Sequence, residues 1–409
     1  MTALAGIVSP LASSESAIAD NLLALFVLLL AAKAGEELCR RIHQPVVAGE
    51  ILAGALVGPS VLGLVEFNEV VDVFSELGVI FLLFWVGLET KLSDIASVGR
   101  SAVAVGVLGV AFPTGAGIAL GLAFGADGGT AVFLGAALAA TSVGITSALL
   151  IELKLHAGRA ARTILGAAVI DDILALIVLA VATGIAQDGG PKFGEIGLLL
   201  AMSVAFLAFV AYGGSRLMRN RPQLLEAPRF ADSPLMPSVI ICLGLAVLSA
   251  EIGLAAVIGA FLAGMIIAET RDHNAIESEV APLYAFFAPF FFAAIGAKVV
   301  LSEFGDPATL LLLAGVTALA VVTKYVGAWL GARDLGRVDR RIVSAGMIPR
   351  GEVGVIVAGI GYAQGVIESD LFAAVVAMSI LTTLVAPYLI RAAVDSSPAP
   401  GGDNEPAAG

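Results

Sequence analysis

Charge is scarce in this chain. Only 14% of its 409 residues are Asp, Glu, Lys or Arg, against about 25% in an ordinary soluble domain. That shortage excludes a water-soluble globule, and a hydrophobic content of 59% with a mean hydropathy of +0.99 points to a polytopic membrane protein. Cysteine is nearly absent: Cys39 and Cys242 form no CxxC pair and exclude a disulfide framework, so they read as small apolar residues of a membrane interior. There is no Ser-His-Asp arrangement, no zinc-ligand spacing and no Gly-rich phosphate loop. An enzyme or an ATP-driven pump therefore has no chemistry to work with, and neither a cofactor nor a resident metal is expected. No basic cluster suggests nucleic acid, and the formal charge of −12 says less than the side of the membrane on which each charge falls. Residues 1–17 carry no Lys or Arg, so they lack the n-region of a cleaved signal and are expected to form an external lead. Residues 392–409, rich in Ser, Pro, Gly and Ala, are expected to be a disordered cytoplasmic tail with no soluble regulatory domain.

What is abundant is long apolar runs. A membrane-crossing helix needs about 20 mainly apolar residues, and stretches near 18–39, 46–64, 71–88, 100–124, 129–151, 160–186, 195–217, 236–250, 253–269, 280–299, 307–332, 340–363 and 369–391 qualify. The pair 236–250 and 253–269 is separated by almost no loop. Placing the 22 basic residues tests the count, because cytoplasmic loops carry the excess. With the N-terminus outside, 17 bases between Arg40 and Arg391 fall inside, Lys192 and Lys298 fall outside, and Lys33, Lys324 and Arg350 lie within spans. The expected fold is all-α, with about 13 transmembrane helices, an external N-terminus and a cytoplasmic C-terminus.

Two spans are interrupted at mid-membrane depth. The fifth contains Thr141-Ser142-Val143-Gly144-Ile145-Thr146, and the twelfth contains Pro349-Arg350-Gly351-Glu352-Val353-Gly354. Pro and Gly break the helical ladder, and irregular backbone survives in a membrane only where it lines a cavity or is buried in protein. A pair of broken helices in corresponding positions of two halves is the sequence pointer to an inverted-repeat transporter. The two spans are an odd number of crossings apart, so they run in opposite directions.

Between those breaks lies the run Gly166 to Ala180, with Asp171 and Asp172 at its centre. Each charge at the middle of a membrane helix carries a penalty of about 2.5–3.5 kcal/mol. Adjacent helical positions face different ways, so one carboxylate can pair with a neighbouring helix while the other looks into a polar cavity. A carboxylate holds a hard cation or a proton but hardly both, and a desolvated one keeps its proton more tightly than one in water. Competition at one such group gives exchange.

The runs Phe84-Trp-Val-Gly-Leu-Glu89-Thr90, Thr141 to Thr146, Ala167-Ala-Val-Ile-Asp171-Asp172 and Pro349 to Gly354 occur in this order across nearly the whole chain, Asn21 to Arg391. Together they resemble the bacterial cation/proton antiporter superfamily, in the branch of the NapA-type sodium/proton and Kef-type potassium antiporters. The Asp-Asp pair and the missing nucleotide-binding domain favour the NapA side. The resemblance implies two crossed discontinuous helices in an NhaA-like antiporter fold. A core bundle is expected at about 100–186 and 307–391, a dimerisation bundle at about 18–88 and 236–299, and a linker helix at about 195–217. It implies electrogenic exchange of Na+, and of Li+ as a further candidate, for protons by a homodimer in the lipid of a bacterial inner membrane, with K+/H+ exchange or sodium-coupled symport as alternatives. Asp172 would hold Na+ or H+, Lys324 would pair with Asp171, and Thr141 and Ser142 would offer oxygen ligands. Arg350 and Glu352 would offset the partial charges of the half-helix ends. A static Asp171–Lys324 bridge remains the alternative to a proton-carrying one.

The weaker signals have simpler readings. Lys33 and Glu37 read as a local helix pair, Glu50 as a carboxylate reaching water at an inner helix end, with the lining of an inner funnel as the alternative, and His43, His156 and His273 as solvated loop histidines on the cytoplasmic side, with pH sensing as the alternative. The Gly117, Gly121, Gly125 series and the Gly54, Gly58 pair permit close helix contact, within a protomer or across a dimer.

Overall fold

In the computed structural model every assigned element of the described residues is helical; these are residues 2–42, 44, 46–65, 68–90, 97–186, 193–214, 216–217, 233–270, 273–298 and 307–395. The elements are α1 (Thr2–Arg41), α2 (Val46–Val57), α3 (Glu69–Leu88), α4 (Gly99–Ala123), α5 (Gly128–Ala139), α6 (Val143–Glu152), α7 (Arg159–Ala186) and α8 (Phe193–Ala208), which runs into a π turn at Phe209–Gly214. They continue as α9 (Leu235–Glu251), α10 (Ala256–Ala268), α11 (His273–Ala297), α12 (Pro307–Gly331), α13 (Arg337–Gly346), α14 (Glu352–Ala363) and α15 (Ser369–Asp395). Among the described residues nine spans are long and apolar enough to cross a membrane, and 46–57, 235–251, 256–268 and 353–362 are shorter apolar helices.

The differences from expectation have local causes. The second span ends at Val57 because Gly58-Pro59 cannot continue the ladder, and Gly63 at φ +59 completes the turn. The first span starts at Ile18 as expected, although α1 itself runs back to Thr2, and the last ends later than expected, since α15 runs through 392–395 of the expected tail. The tight connection between α9 and α10 is real, and Gly253 makes it with φ +88. Side-chain caps mark other starts. Asn68 accepts from the amides of Val70 and Val71 at the head of α3, and Asp127 accepts from Thr130 N at 2.9 Å at the head of α5. That cap holds the Asp127 carboxyl below the usual range.

Two groups of helices pack mainly within themselves. In the first, α3 lies against α10 and α11, α2 against α1 and α11, and α9 against α10. In the second, α4 lies against α5, α7 and α12, α5 also against α7 and α14, and α15 against α12, α13 and α14. The groups meet chiefly where α6 touches α2 and α3, while α8 and its π turn pass from α7 to α10. Phe74, Phe81, Phe287 and Phe290 interlock α3 with α11 at ring separations of 5.3 to 5.5 Å.

The small residues serve contacts within the chain. Gly117 packs on Gly135 and Gly121 on Ala131, whereas Gly125 sits in a turn at φ +80. The closest approach joins α2 to α11, where a Cβ on Gly296 would stand 1.8 Å from the Ile51 carbonyl oxygen and one on Gly54 1.9 Å from that of Ala293. Such overpacking destabilises by ~1–3 kcal/mol. Gly296→Ala should therefore lower the melting temperature of the detergent-solubilised protein, while Gly115→Ala, with nothing within 4 Å of the added carbon, should leave it unchanged or raise it.

Candidate functional site

The two interruptions, residues 140–142 between α5 and α6 and residues 347–351 between α13 and α14, lie against each other. Ser142 N donates to Pro349 O at 2.9 Å and Thr146 Oγ1 donates to Gly346 O at 2.7 Å. These bonds satisfy groups that the broken helices leave open, as backbone buried in a membrane requires. Ser142 also caps α6 toward Ile145 N at 3.5 Å. Gly351 must be small here, since a Cβ would meet Ser142 Oγ at 2.5 Å.

A cluster of buried charges surrounds the first break. Lys324 on α12 and Asp171 on α7 are each 0% exposed and form an ion pair. Lys324 Nζ also donates to Ala139 O at 2.6 Å. Arg350, likewise 0% exposed, donates to Ala139 O at 3.2 Å, Ala140 O at 2.8 Å and Ala320 O at 3.4 Å. The last carbonyls of a helix are unpaired and carry its negative end, so two cations meet the C-terminus of α5. Thr382 and Thr383 on α15 fix the backbone of Arg350, the first accepting from its N–H at 3.2 Å and the second donating to its C=O at 3.1 Å.

Asp172 is 5% exposed and faces another way. It borders a space of about 10 Å³ walled by Leu83 of α3, Val143 of α6, Leu165, Ala168 and Val169 of α7, and Val257, Ile258 and Phe261 of α10. That is room for about one water molecule. Val257 also borders a larger cavity of about 490 Å³ lying between the two groups, which reaches Gly351 and Ser379 at the second break and has Asp72, Glu76 and Lys298 on its wall.

The structure thus brings Asp171, Lys324 and Arg350 together, with Thr141 and Ser142 in the same break. The Thr141 hydroxyl is buried without a hydrogen-bond partner. Glu352 opens α14, but its side chain lies outside the described residues. The described compensation is of the negative end of α5, by Lys324 and Arg350. Gly109 was not singled out beforehand, yet a Cβ there would stand 3.6 Å from Lys324 Nζ. Nor were Thr382 and Thr383, although a hydroxyl pair inside the apolar run of α15 was the available signal.

Three weaker readings change. Lys33 pairs with Glu36 at 2.7 Å rather than with Glu37, whose carboxylate takes Arg41 at 2.8 Å. Glu50 is buried, at 5% exposure, rather than reaching water. His156 is no solvated loop residue: it lies 3.1 Å from Glu89 and 6.0 Å, ring to ring, from Trp85. His43 and the side chain of His273 lie outside the described residues.

Helix interruptions meeting beside buried acids and bases are how secondary transporters build their ion sites, and that is the class this fold and site define. The chain belongs to the sodium/hydrogen exchanger transmembrane family, which it matches over residues 23–395. It is 36% identical to the Na(+)/H(+)-K(+) antiporter GerN of Bacillus cereus, over 89% of this chain and 94% of that protein. It is 35% identical to the high-affinity Na(+)/H(+) antiporter NhaS3 of Synechocystis, covering 93% and 91%. The fold is similar to that of the sodium proton antiporter MjNhaP1 of Methanocaldococcus jannaschii, with a TM-score of 0.66 at 16% identity over 91% of this chain and 98% of that one.

Removing one member of a buried ion pair leaves the other uncompensated and costs ~3–5 kcal/mol, whereas replacing both is far milder. Lys324→Ala should therefore lower thermal stability sharply. Adding Asp171→Asn to it should recover much of the loss, a coupling read directly from a double-mutant cycle of melting temperatures.

Proposed function

We propose that this exchanger-family chain moves Na+ and H+ in opposite directions by letting them compete for the carboxylate of Asp172. One observation carries the assignment: Asp172 is the acid beside the crossing that borders an ion-sized space, while Asp171 is committed to Lys324. Thr141, Ser142 and the unwound backbone at 140–142 supply further oxygens, the hard ligands a small cation prefers.

The second helix group is the moving core of this reading, and the first, with α1–α3 and α9–α11, is the scaffold on which a homodimer forms. An apolar wall that includes Leu83, Val257, Ile258 and Phe261 lies beside Asp172. With a proton or a cation bound, the site is close to neutral and can be carried past that wall; empty, it is an anion that the wall holds back. The excess of bases on one side supports an N-terminus outside a bacterial inner membrane, an orientation in which the 490 Å³ cavity at the head of α3 faces outward. Its wall carries both signs of charge, Asp72 and Glu76 with Lys298, which lies 3.4 Å from Asp72. Lys324 gives a second titratable group. A cation at Asp172 weakens the hold of Asp171 on Lys324, whose proton then leaves, so that more than one proton moves per cation and the exchange is electrogenic.

In proteoliposomes, a Na+ gradient alone should drive protons the opposite way with no organic solute present. Asp172→Asn should abolish this, and retention of full exchange would sink the assignment. For the wild type the apparent KM for Na+ should rise by about tenfold for each unit that pH falls, where one proton competes with one cation, with maximal rate unaffected by that competition. Lys324→Gln, if it folds, should exchange without responding to membrane potential. A cation series with Li+ and K+ fixes the selectivity.

A further inference from the structure

Arg350 stands between the end of α13 and the head of α14, outside both helical ladders. Its residue is fully buried, so its N–H and C=O cannot turn to water and need partners inside the bundle. Two adjacent side chains of α15, Thr382 and Thr383, supply them, and both are buried as well. A hydroxyl inside a helix ordinarily bonds a carbonyl of its own preceding turn, as Ser379 of α15 does by donating to Val375 O at 3.0 Å. Valine would fill either threonine position with the same shape and suit an apolar helix better. The hydroxyls are therefore there for their bonds.

One hydrogen per hydroxyl decides how the pair is arranged. Thr382 receives from Arg350 N at 3.2 Å and gives its own hydrogen to Ser379 O at 2.9 Å. Thr383 Oγ1 lies 2.9 Å from Ser379 O and 3.1 Å from Arg350 O. Because Thr382 already serves Ser379 O, giving the Thr383 hydrogen to Arg350 O leaves none of these buried groups unserved. Arg350 is thus gripped at both backbone groups by one helix, and α15 in turn packs on α12, α13 and α14.

The gripped residue has the first break on three sides. Pro349, just before it, accepts from Ser142 N at 2.9 Å. Gly351, just after it, lies so close to Ser142 that an added Cβ would stand 2.5 Å from its Oγ. The Arg350 guanidinium reaches the carbonyls of Ala139 and Ala140. A break has no ladder of its own to stiffen it, so the residues at 140–142 take their position from 349–351, and these take theirs from α15.

We propose that Thr382 and Thr383 are positioning residues of the ion site: by fixing the backbone of Arg350 they set where Pro349 and Gly351 hold Ser142 and its neighbours, and so set the affinity for Na+ without touching the ion. The proposal rests on the reading that Na+ binds at Asp172 with oxygens from 140–142. Ligands held in place before the ion arrives bind it more tightly, because the ordering has already been done. Removing one hydroxyl leaves a backbone group of Arg350 unpaired, and the segment shifts to find another partner, taking the ligands with it.

Two measurements test this. In the first, Na+ binding to the purified, detergent-solubilised protein is titrated by calorimetry at fixed pH, well below each variant's melting temperature. Thr382→Val and Thr383→Val should bind Na+ roughly three- to tenfold more weakly, the worth of one net hydrogen bond, while Thr383→Ser should bind as the wild type does. A merely structural pair would lower the melting temperature and leave the affinity of the folded protein unchanged, and that result would overturn the proposal. Asp172→Asn separates the two readings. Weakened binding in Thr383→Val beside normal binding in Asp172→Asn keeps the positioning role and moves the ion away from Asp172. Lost binding in Asp172→Asn beside normal binding in Thr383→Val keeps the ion there and removes the role of the threonines. The second measurement uses the wild type alone, so it stands even where the valine variants do not fold. Coupling is reciprocal: Na+ should slow amide hydrogen exchange in the segment 347–353 together with that in 140–146. Protection of 140–146 with none at 347–353 contradicts the proposal.

Discussion

Everything in this bundle is arranged around the need to keep Lys324, Asp171 and Arg350 satisfied where no water can reach them. All three are fully buried, and a charge in that position is tolerated only with opposite charge or well-placed dipoles around it. The break between α5 and α6 supplies those dipoles. By ending α5 at Ala139, the chain exposes carbonyls that an unbroken helix would have used, and Lys324 and Arg350 take them. The break also needs the cations, since unpaired carbonyls at membrane depth would be as unfavourable as unpaired charges. Helix interruption and buried base explain each other.

That arrangement divides the labour between adjacent acids. Asp171 is consumed by the lysine, which leaves Asp172, about 100° further round the helix, to face the interface with α3 and α10. The other residues that line its small space are all apolar, so on the proposed reading binding there would be sensitive to the charge of the occupant. On the proposed reading the wall would also serve transport, because Leu83, Val257 and Phe261 belong to the first group and Asp172 to the second. Relative movement of the groups would slide the carboxylate along an apolar surface. Selective crossing by an occupied, near-neutral site then follows from the penalty for dragging a bare anion over that surface.

Much of this was legible in the sequence because membrane constraints are strict. The Asp171-Asp172 pair inside an apolar run, the Gly- and Pro-marked breaks and the lone Lys324 in α12 all violate the ordinary composition of a lipid-facing helix, and such violations need a local reason. The breaks at 140–142 and 347–351 fall where Thr141-Ser142 and Pro349-Arg350-Gly351 predict them. What was hidden depends on which faces meet. Glu50 reads as an exposed helix-end carboxylate until α2 is packed against its neighbours. His156 reads as a loop residue until the α6–α7 corner folds under α3. The role of Arg350 was visible only in part: its position at a break was clear, but that it reaches the negative end of the other broken helix depends on how the two cross.

The claim on which the account stands is that Asp172 gives up a proton when it takes a cation. Adding Na+ to the purified, detergent-solubilised protein in weakly buffered solution, at a pH where the site is protonated, measures this without any transport. Proton release that saturates with Na+ and disappears in Asp172→Asn, while Asp171 and Lys324 remain in place, is the predicted result. Na+ binding with no proton release, or release that persists in Asp172→Asn, would contradict it.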